Sequence, residues 1–143
     1  MLRRLKSYAR VLIGNLILHR LSRILRRDPQ LWVFGAPAGR FEGNSKYLFL
    51  WMSLQRSPVS TVWITRKRRL ARELRGRGLV SYFRWSPHGI GAAARAGVYV
   101  VNDNSSDINF NLSGGAKIFN LWHGVGLKNV RFGAQVGSGA VLR

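Results

Sequence analysis

The chain has 143 residues, of which 24 are Lys or Arg and only 5 are Asp or Glu, so its formal net charge is +19. A hydrophobic fraction of 46% is enough to bury a core in a chain of this length, which excludes a wholly disordered protein. The sequence has no cysteine, which excludes disulfides and thiolate chemistry, and its few scattered carboxylates do not suit an acidic dyad or an oxygen-ligand metal cage. We therefore expect no metal, no cofactor, and an anion such as phosphate as the partner.

Residues 1–28 are predicted to form a basic amphipathic helix. Apolar residues recur at three- and four-residue steps between arginines, and Asp28-Pro29 is expected to end the helix. The longest uncharged run of this segment, from Val11 to His19, is far shorter than the roughly 20 apolar residues of a spanning helix. We expect the helix to lie in the interface of an anionic membrane. The alternative is a helix that docks on the protein's own surface.

Short apolar runs alternate with helical segments through residues 29–132. The predicted strands are 31–35, 61–65, 79–83, 98–101 and 117–122. The predicted helices begin with Asn44 as N-cap, at Lys67, and at Ser86-Pro87, and Gly97 is expected to close the last one. Strands that are apolar on both faces and alternate with helices indicate an α/β fold with a Rossmann-like parallel sheet. Residues 133–143 are a Gly-rich tail, and the sheet pattern stops before them.

One loop of this predicted sheet carries residues suited to chemistry. Ligands of open parallel sheets bind beyond the carboxyl ends of the strands, where the loops after the first, fourth and fifth strands are expected to meet. His123 leaves the fifth strand and is followed by Gly124, Gly126 and Lys128. The histidine can accept a proton near neutral pH, the glycines let backbone N–H groups approach an anion, and the lysine adds positive charge. This combination suits a hydroxyl that attacks a phosphate, and the alternative is a structural histidine in an ordinary turn.

Several segments, in order along the chain, resemble the first half of the CDP-glycerol glycerophosphotransferases, which are teichoic-acid primases and polymerases. These segments are residues 32–35, 44–49, 62–65, 94–103 and 118–128. The His-Gly-x-x-x-Lys element from His123 to Lys128 is the most specific of them. The resemblance implies the N-terminal domain of a GT-B architecture, with two Rossmann-like domains, the active site between them, and peripheral attachment to the cytoplasmic face of the cell membrane.

The resemblance also implies a reaction. A hydroxyl of a lipid-linked acceptor attacks the β-phosphorus of CDP-glycerol, which forms a phosphodiester and releases CMP. On this basis His123 is the general base, and Gly124 and Lys128 shape an anion-binding turn.

Three further residues are candidates for substrate binding. Asn44 and Lys46 are expected to face the acceptor, with Asn44 first serving as the helix cap. Asp103 follows the fourth strand and is expected to orient a substrate hydroxyl or His123. The alternative for Asp103 is a plain turn, because the sequence around it is rich in Asn and Ser.

The resemblance implies a donor-binding C-terminal domain after residue 132, and we expect residues 133–143 to mark a truncation before it. We therefore expect a fragment that is not active alone, and that needs a C-terminal domain or a partner chain. Two alternatives remain: a basic domain that binds nucleic acid or another polyanion, and an inactive truncated remnant. Clustered arginine favours the first, but no recognisable nucleic-acid module accompanies it, so we expect no nucleic-acid partner.

Overall fold

The computed structural model describes residues 15–55 and 57–122. Residues 15–21 are helical and belong to helix α1. The other helices are α2 (Gly43–Leu54), α3 (Arg68–Gly76) and α4 (Pro87–Arg95). The strands are β1 (Asp28–Phe34), β2 (Ser60–Thr65), β3 (Ser81–Phe83), β4 (Ala96–Val101) and β5 (Lys117–Asn120). Short 3-10 turns lie at Ser22–Ile24, Pro37–Gly39, Ser105–Asp107 and Phe110–Leu112.

The five strands form one parallel sheet in the order β3-β2-β1-β4-β5. The chain moves outward from β1 to β3, crosses over through α4, and continues on the other side of β1 as β4. This is a Rossmann-like α/β fold, so the predicted fold class is confirmed. The order of the strands reverses between β1 and β4, and in such sheets the gap beyond the carboxyl ends at this point accepts ligands.

Both faces of the sheet are covered, as the continuous apolar strands predict. On the face of α2 and α3, Phe34, Trp63 and Val100 pack with Phe49 and Leu74. The opposite face packs under α4 and the two turns before β5, and its buried residues are Val33, Val62, Ile64, Ala93, Ala96, Tyr99, Val101 and Ile108. Alternate residues of each strand therefore enter different cores, which fixes the register of the sheet.

Helix α4 begins as predicted and ends differently. The Ser86 hydroxyl accepts a hydrogen bond of 3.0 Å from the Gly89 N–H, and Pro87 occupies the first helical position. The expectation that Gly97 closes the helix is wrong, because the chain passes directly from α4 into β4 at Ala96. Glycine is needed at 97 for a different reason: a Cβ there would lie 2.6 Å from the carbonyl oxygen of Asp28 on β1.

The N-terminal helix ends earlier than predicted. Helical residues stop at 21, and Asp28-Pro29 already belongs to β1 rather than ending the helix. Strand β1 tolerates Pro29 because its pairing with β4 is irregular between Asp28 and Trp32, so the missing N–H breaks no regular ladder.

Helix α1 contacts the domain through its polar side. The His19 ring stacks on the Phe110 ring at 4.5 Å between centroids, and the Ser22 hydroxyl accepts a 2.9 Å hydrogen bond from the Gly114 N–H. The apolar residues of this segment instead point outward, and those at least 39% exposed are Leu16, Ile17, Leu18, Leu21, Ile24 and Leu25. The alternative prediction, that the helix docks on the protein's own surface, therefore holds for the polar side chains. It does not account for the exposed apolar side chains.

Arg27 connects this N-terminal segment to the rest of the domain. Its guanidinium is half-buried and donates hydrogen bonds to backbone carbonyl oxygens from three parts of the chain. The acceptors are the carbonyls of Ser22, Ala93, Ala96, Leu112 and Gly114. A planar fork of five N–H donors suits such a cluster, whereas an ammonium group does not. Arg27 therefore acts in folding, and its guanidinium is not free to contact a membrane.

We predict that Arg27→Gln lowers the free energy of unfolding by about 2–4 kcal/mol, because several buried carbonyls lose a charged donor at once. Urea unfolding measures the change. Arg26→Gln is the matched control, since Arg26 is exposed and its substitution is expected to change stability by less than about 0.5 kcal/mol. Equal effects of the two substitutions would contradict this role.

Candidate functional site

The candidate site is the carboxyl edge of the sheet where β1 and β4 meet. Helix α2 begins here, directly after the loop that leaves β1. The pairing of the two strands continues past their ends, because the Gly35 N–H donates a 3.1 Å hydrogen bond to the Val100 carbonyl. The edge thus combines the ends of two central strands with the N-terminus of a helix, where backbone N–H groups and the helix dipole favour an anion.

Asn102, the first residue after β4, holds the start of α2. Its Oδ1 accepts a 3.0 Å hydrogen bond from the Ser45 N–H, and its Nδ2 donates to the Glu42 carbonyl at 3.2 Å. The expectation that Asn44 caps this helix is wrong: Glu42 occupies the N-cap position, and the capping oxygen comes from Asn102, directly after β4. Gly43 has a φ of +75°, and a Cβ there would lie 2.3 Å from Asn102 Nδ2, so only glycine fits this approach.

Asn44 makes a different contact, which brings α2 to the end of the fifth strand. Its Nδ2 donates hydrogen bonds to the carbonyls of Leu121 and Trp122, at 3.2 and 2.9 Å. The Trp122 N–H in turn donates to Asn120 Oδ1 at 2.9 Å. Two asparagine side chains therefore hold the backbone of Trp122 on both sides.

Trp122 adopts an unusual backbone conformation for a bulky residue. Its φ is +53°, in the left-handed region that non-glycine residues seldom occupy. Such strain costs on the order of 1–3 kcal/mol and persists where surrounding contacts impose it, often at functional sites. Here the two asparagines impose it at the residue that immediately precedes His123.

Asp103 also lies at this edge, next to the end of β5. Its carbonyl accepts a 2.7 Å hydrogen bond from Asn120 Nδ2, and its exposed carboxylate accepts one of 2.9 Å from Asn104 Nδ2. Its N–H donates to the carboxylate of Asp107 at 3.1 Å. Burial raises the pKa of Asp107, and backbone N–H donors partly offset this shift. Asp103 thus belongs to a turn and also has an exposed carboxylate near the end of β5.

Lys46 lies in the first turn of α2 but turns toward aromatic rings. Its Nζ lies 5.5 Å from the centroid of the Phe41 ring and 5.3 Å from that of the Tyr47 ring. Cation–π contacts of this kind hold a cation without neutralising it. The structure therefore groups Asn44 with Asp103, both beside the end of β5, while Lys46 stands with the aromatic residues around α2.

The other predicted site residues, His123, Gly124 and Lys128, lie outside the described residues. Their assignments as base and anion-binding turn stay predictions. Within the described part of the chain no group of three His, Asp or Glu side chains could hold a metal ion. No helix among the same residues is long and apolar enough to cross a membrane.

Sequence reasoning missed Asn102 and Asn120, which organise this edge. Each is an asparagine at the end of an apolar strand, and that position is the only signal the sequence offers. The signal is weak because Asn is also common in turns. The partners of these residues lie 57 positions away for Asn102 and 17 for Asn120, so no local pattern could reveal them.

We predict that Asn102→Ala lowers the free energy of unfolding by about 1–3 kcal/mol, because Ser45 loses its capping acceptor and Glu42 loses a donor. Thermal or urea unfolding tests this. Asn111→Ala serves as a control in the turn before β5, where no side-chain hydrogen bond of Asn111 is present among the described residues. A loss no larger than that of the control would show that Asn102 does not hold the helix.

Comparison with protein families identifies a match over most of the chain. The family model of CDP-glycerol:poly(glycerophosphate) glycerophosphotransferase matches residues 17–140. A search of curated proteins finds no match. The family match includes the whole described sheet, its carboxyl edge and most of the residues that follow β5. The chain therefore belongs to the CDP-glycerol:poly(glycerophosphate) glycerophosphotransferase family.

Proposed function

We propose that this protein takes part in the transfer of glycerol phosphate from CDP-glycerol to a hydroxyl of a lipid-linked acceptor, with release of CMP, in the synthesis of a teichoic acid or a related cell-envelope polymer. The family membership supports the glycerophosphotransferase chemistry. The observation that carries the proposal is the position of Trp122. Its backbone is held by Asn44 from the first turn of α2 and by Asn120 from the end of β5. These contacts place Trp122 near the point where the strand order reverses.

His123 is the general base in this proposal. It follows Trp122 directly in the sequence, which supports a place at the same edge. The acceptor oxygen attacks the β-phosphorus of CDP-glycerol, its proton passes to the imidazole, and the bond from that phosphorus to the CMP phosphate breaks. General-base assistance of this kind is worth about 10² to 10⁴ in rate. The N-terminus of α2 supplies positive potential for the phosphate oxygens, and so does Lys128 in the anion-binding turn that the sequence predicts.

The donor nucleotide requires a second domain in this proposal. The described sheet supplies one edge of a cleft, and in a GT-B arrangement a second Rossmann-like domain faces it. Such a domain would come from a partner chain or from further sequence. Asn44 and Asp103 then face the acceptor, and Lys46 contributes charge near it.

His123→Ala is expected to reduce transfer from CDP-glycerol by about 10² to 10⁴-fold, because the acceptor hydroxyl loses its base. The assay follows CMP release with a lipid-linked acceptor, in a preparation whose unmodified chain supports transfer. His88→Ala is the control, since His88 is exposed and stacks on Tyr82 of β3, on the other side of β1 from Asp103 and Trp122. Unchanged turnover in His123→Ala would end the general-base assignment.

We further propose that the outward side of α1 and the turn after it contacts the cytoplasmic face of the cell membrane. The polar residues His19 and Ser22 bind the domain, while exposed apolar residues lie on both sides of the exposed Arg20 and Arg23 in the sequence. Apolar side chains flanked by arginines suit the interface of an anionic bilayer, and each nearby cation contributes about 1 kcal/mol. Such contact places the domain where a lipid-linked acceptor is found.

Leu21→Asn and Ile24→Asn are each expected to weaken binding to vesicles of phosphatidylglycerol roughly tenfold, because an apolar side chain no longer enters the interface. Leu21 and Ile24 are 54% and 84% exposed, so the substitutions are expected to leave the fold unchanged. Vesicle sedimentation measures the affinity. Val80→Asn removes an apolar side chain of similar exposure elsewhere, and equal weakening by that control would contradict the proposed surface.

A further inference from the structure

Two arginines stand side by side at the carboxyl ends of β2 and β3. The last paired residues of these strands are Thr65 and Phe83, so Arg66 and Arg84 occupy the next matching positions. The ladder extends to this level, because the Arg84 N–H donates a 2.9 Å hydrogen bond to the Thr65 carbonyl. Neighbouring strands are about 4.8 Å apart, so the register brings two cations close together.

Each of the two side chains is held by its surroundings. Arg66 donates from Nη2 to the Ser106 carbonyl at 2.7 Å, across the end of β1. The Arg84 guanidinium lies 5.0 Å from the centroid of the Trp85 ring. Arg84 is partly buried, and its Nε is inaccessible and has no hydrogen-bond partner among the described residues.

The pair lacks a neutralising carboxylate in the described part of the chain. The ion pairs found there join Arg40 to Glu42, Arg77 to Glu73 and Arg95 to Asp28. Burial lowers the pKa of Arg84, and the charge of Arg66 lowers it further, which agrees with their proximity. Like charges placed directly opposite each other in a sheet are destabilising, so an anion bound by both would relieve a repulsion that the fold otherwise retains.

Nearby helices make the same place more favourable for an anion. Helix α3 begins two residues after Arg66, and α4 begins three residues after Arg84, so both helix N-termini lie at this end of the sheet. Neither helix has an acidic residue in its first turn. The positive ends of the helix dipoles therefore add to the two guanidinium charges.

We propose that Arg66 and Arg84 form a binding site for a phosphate or diphosphate group. Guanidinium groups bind phosphate oxygens through paired N–H donors, and two of them can share one diphosphate. The site lies on the β2–β3 half of the carboxyl edge, on the other side of β1 from Asn102 and Asn120. Binding there does not depend on glycerol phosphate transfer, so it is tested separately from the role of His123.

The test is the binding of inorganic pyrophosphate to the full chain by calorimetry at constant ionic strength, which keeps screening equal in all samples. Arg66→Gln and Arg84→Gln are each expected to weaken binding about 10- to 100-fold through the loss of charged hydrogen bonds. Arg84→Lys, which keeps the charge but not the fork of donors, is expected to weaken binding less, and it keeps the test valid if Arg84→Gln does not fold.

Arg95→Gln is the matched control for net charge. Arg95 lies at the C-terminal end of α4, at the opposite edge of the sheet. Its substitution is expected to change the affinity for pyrophosphate by less than about threefold. If Arg66→Gln and Arg95→Gln weaken binding equally, pyrophosphate binds only through the general positive charge and the proposal is overturned.

Two further probes distinguish the sources of the phosphate. CDP presents a soluble diphosphate, and vesicles with phosphatidic acid in phosphatidylcholine present a lipid phosphate. Loss of affinity in Arg66→Gln for CDP supports a nucleotide diphosphate at the site, and loss for the vesicles supports a lipid-linked phosphate. If Arg66→Gln binds both probes as tightly as the unmodified chain does, the proposal fails.

Discussion

The architecture of the candidate site depends on one buried amide. Asn102 is 1% exposed, and its side chain joins the end of β4 to the first turn of α2. Because α2 follows β1, this contact closes the gap between the two strands at the point where the strand order reverses. The same turn of α2 presents Asn44 to the end of β5. Three strands and a helix N-terminus therefore meet through a few asparagine contacts.

The excess of arginine has a consistent structural outcome. With few carboxylates available, several arginines bind backbone carbonyls instead: Arg27 binds five of them, Arg66 binds Ser106, and Arg75 binds Ser81 at 2.7 Å. A carbonyl orders a guanidinium but does not cancel its charge. The fold can thus use arginine for packing and still keep a strongly positive surface. This retained charge suits the contacts with phosphates and with an anionic membrane that we propose.

The sequence predicted the parts of the fold that depend on local pattern. Apolar strands alternating with helices indicated the parallel sheet, and Ser86-Pro87 marked the start of α4 because that cap is local. The predicted ends of α1 and α4 and the predicted cap of α2 were wrong, because tertiary contacts determine these positions. Gly97 allows the start of β1 to approach closely, and Asn102, in place of Asn44, supplies the capping oxygen. In the site, Asn44 and Asp103 were found from their places after loops and strands, whereas Asn102 and Asn120 act through distant partners that no local pattern indicates.

The central claim is that the carboxyl edge around α2 receives the substrate. Amide chemical-shift changes on addition of the lipid-linked acceptor test it most directly, because they report binding residue by residue and do not require turnover. The account predicts that the largest changes fall at Gly43, Asn44, Asp103 and Trp122. Changes confined to the opposite end of the sheet, in the groove of about 440 Å³ lined by Trp32, Val98 and Phe119, would contradict it.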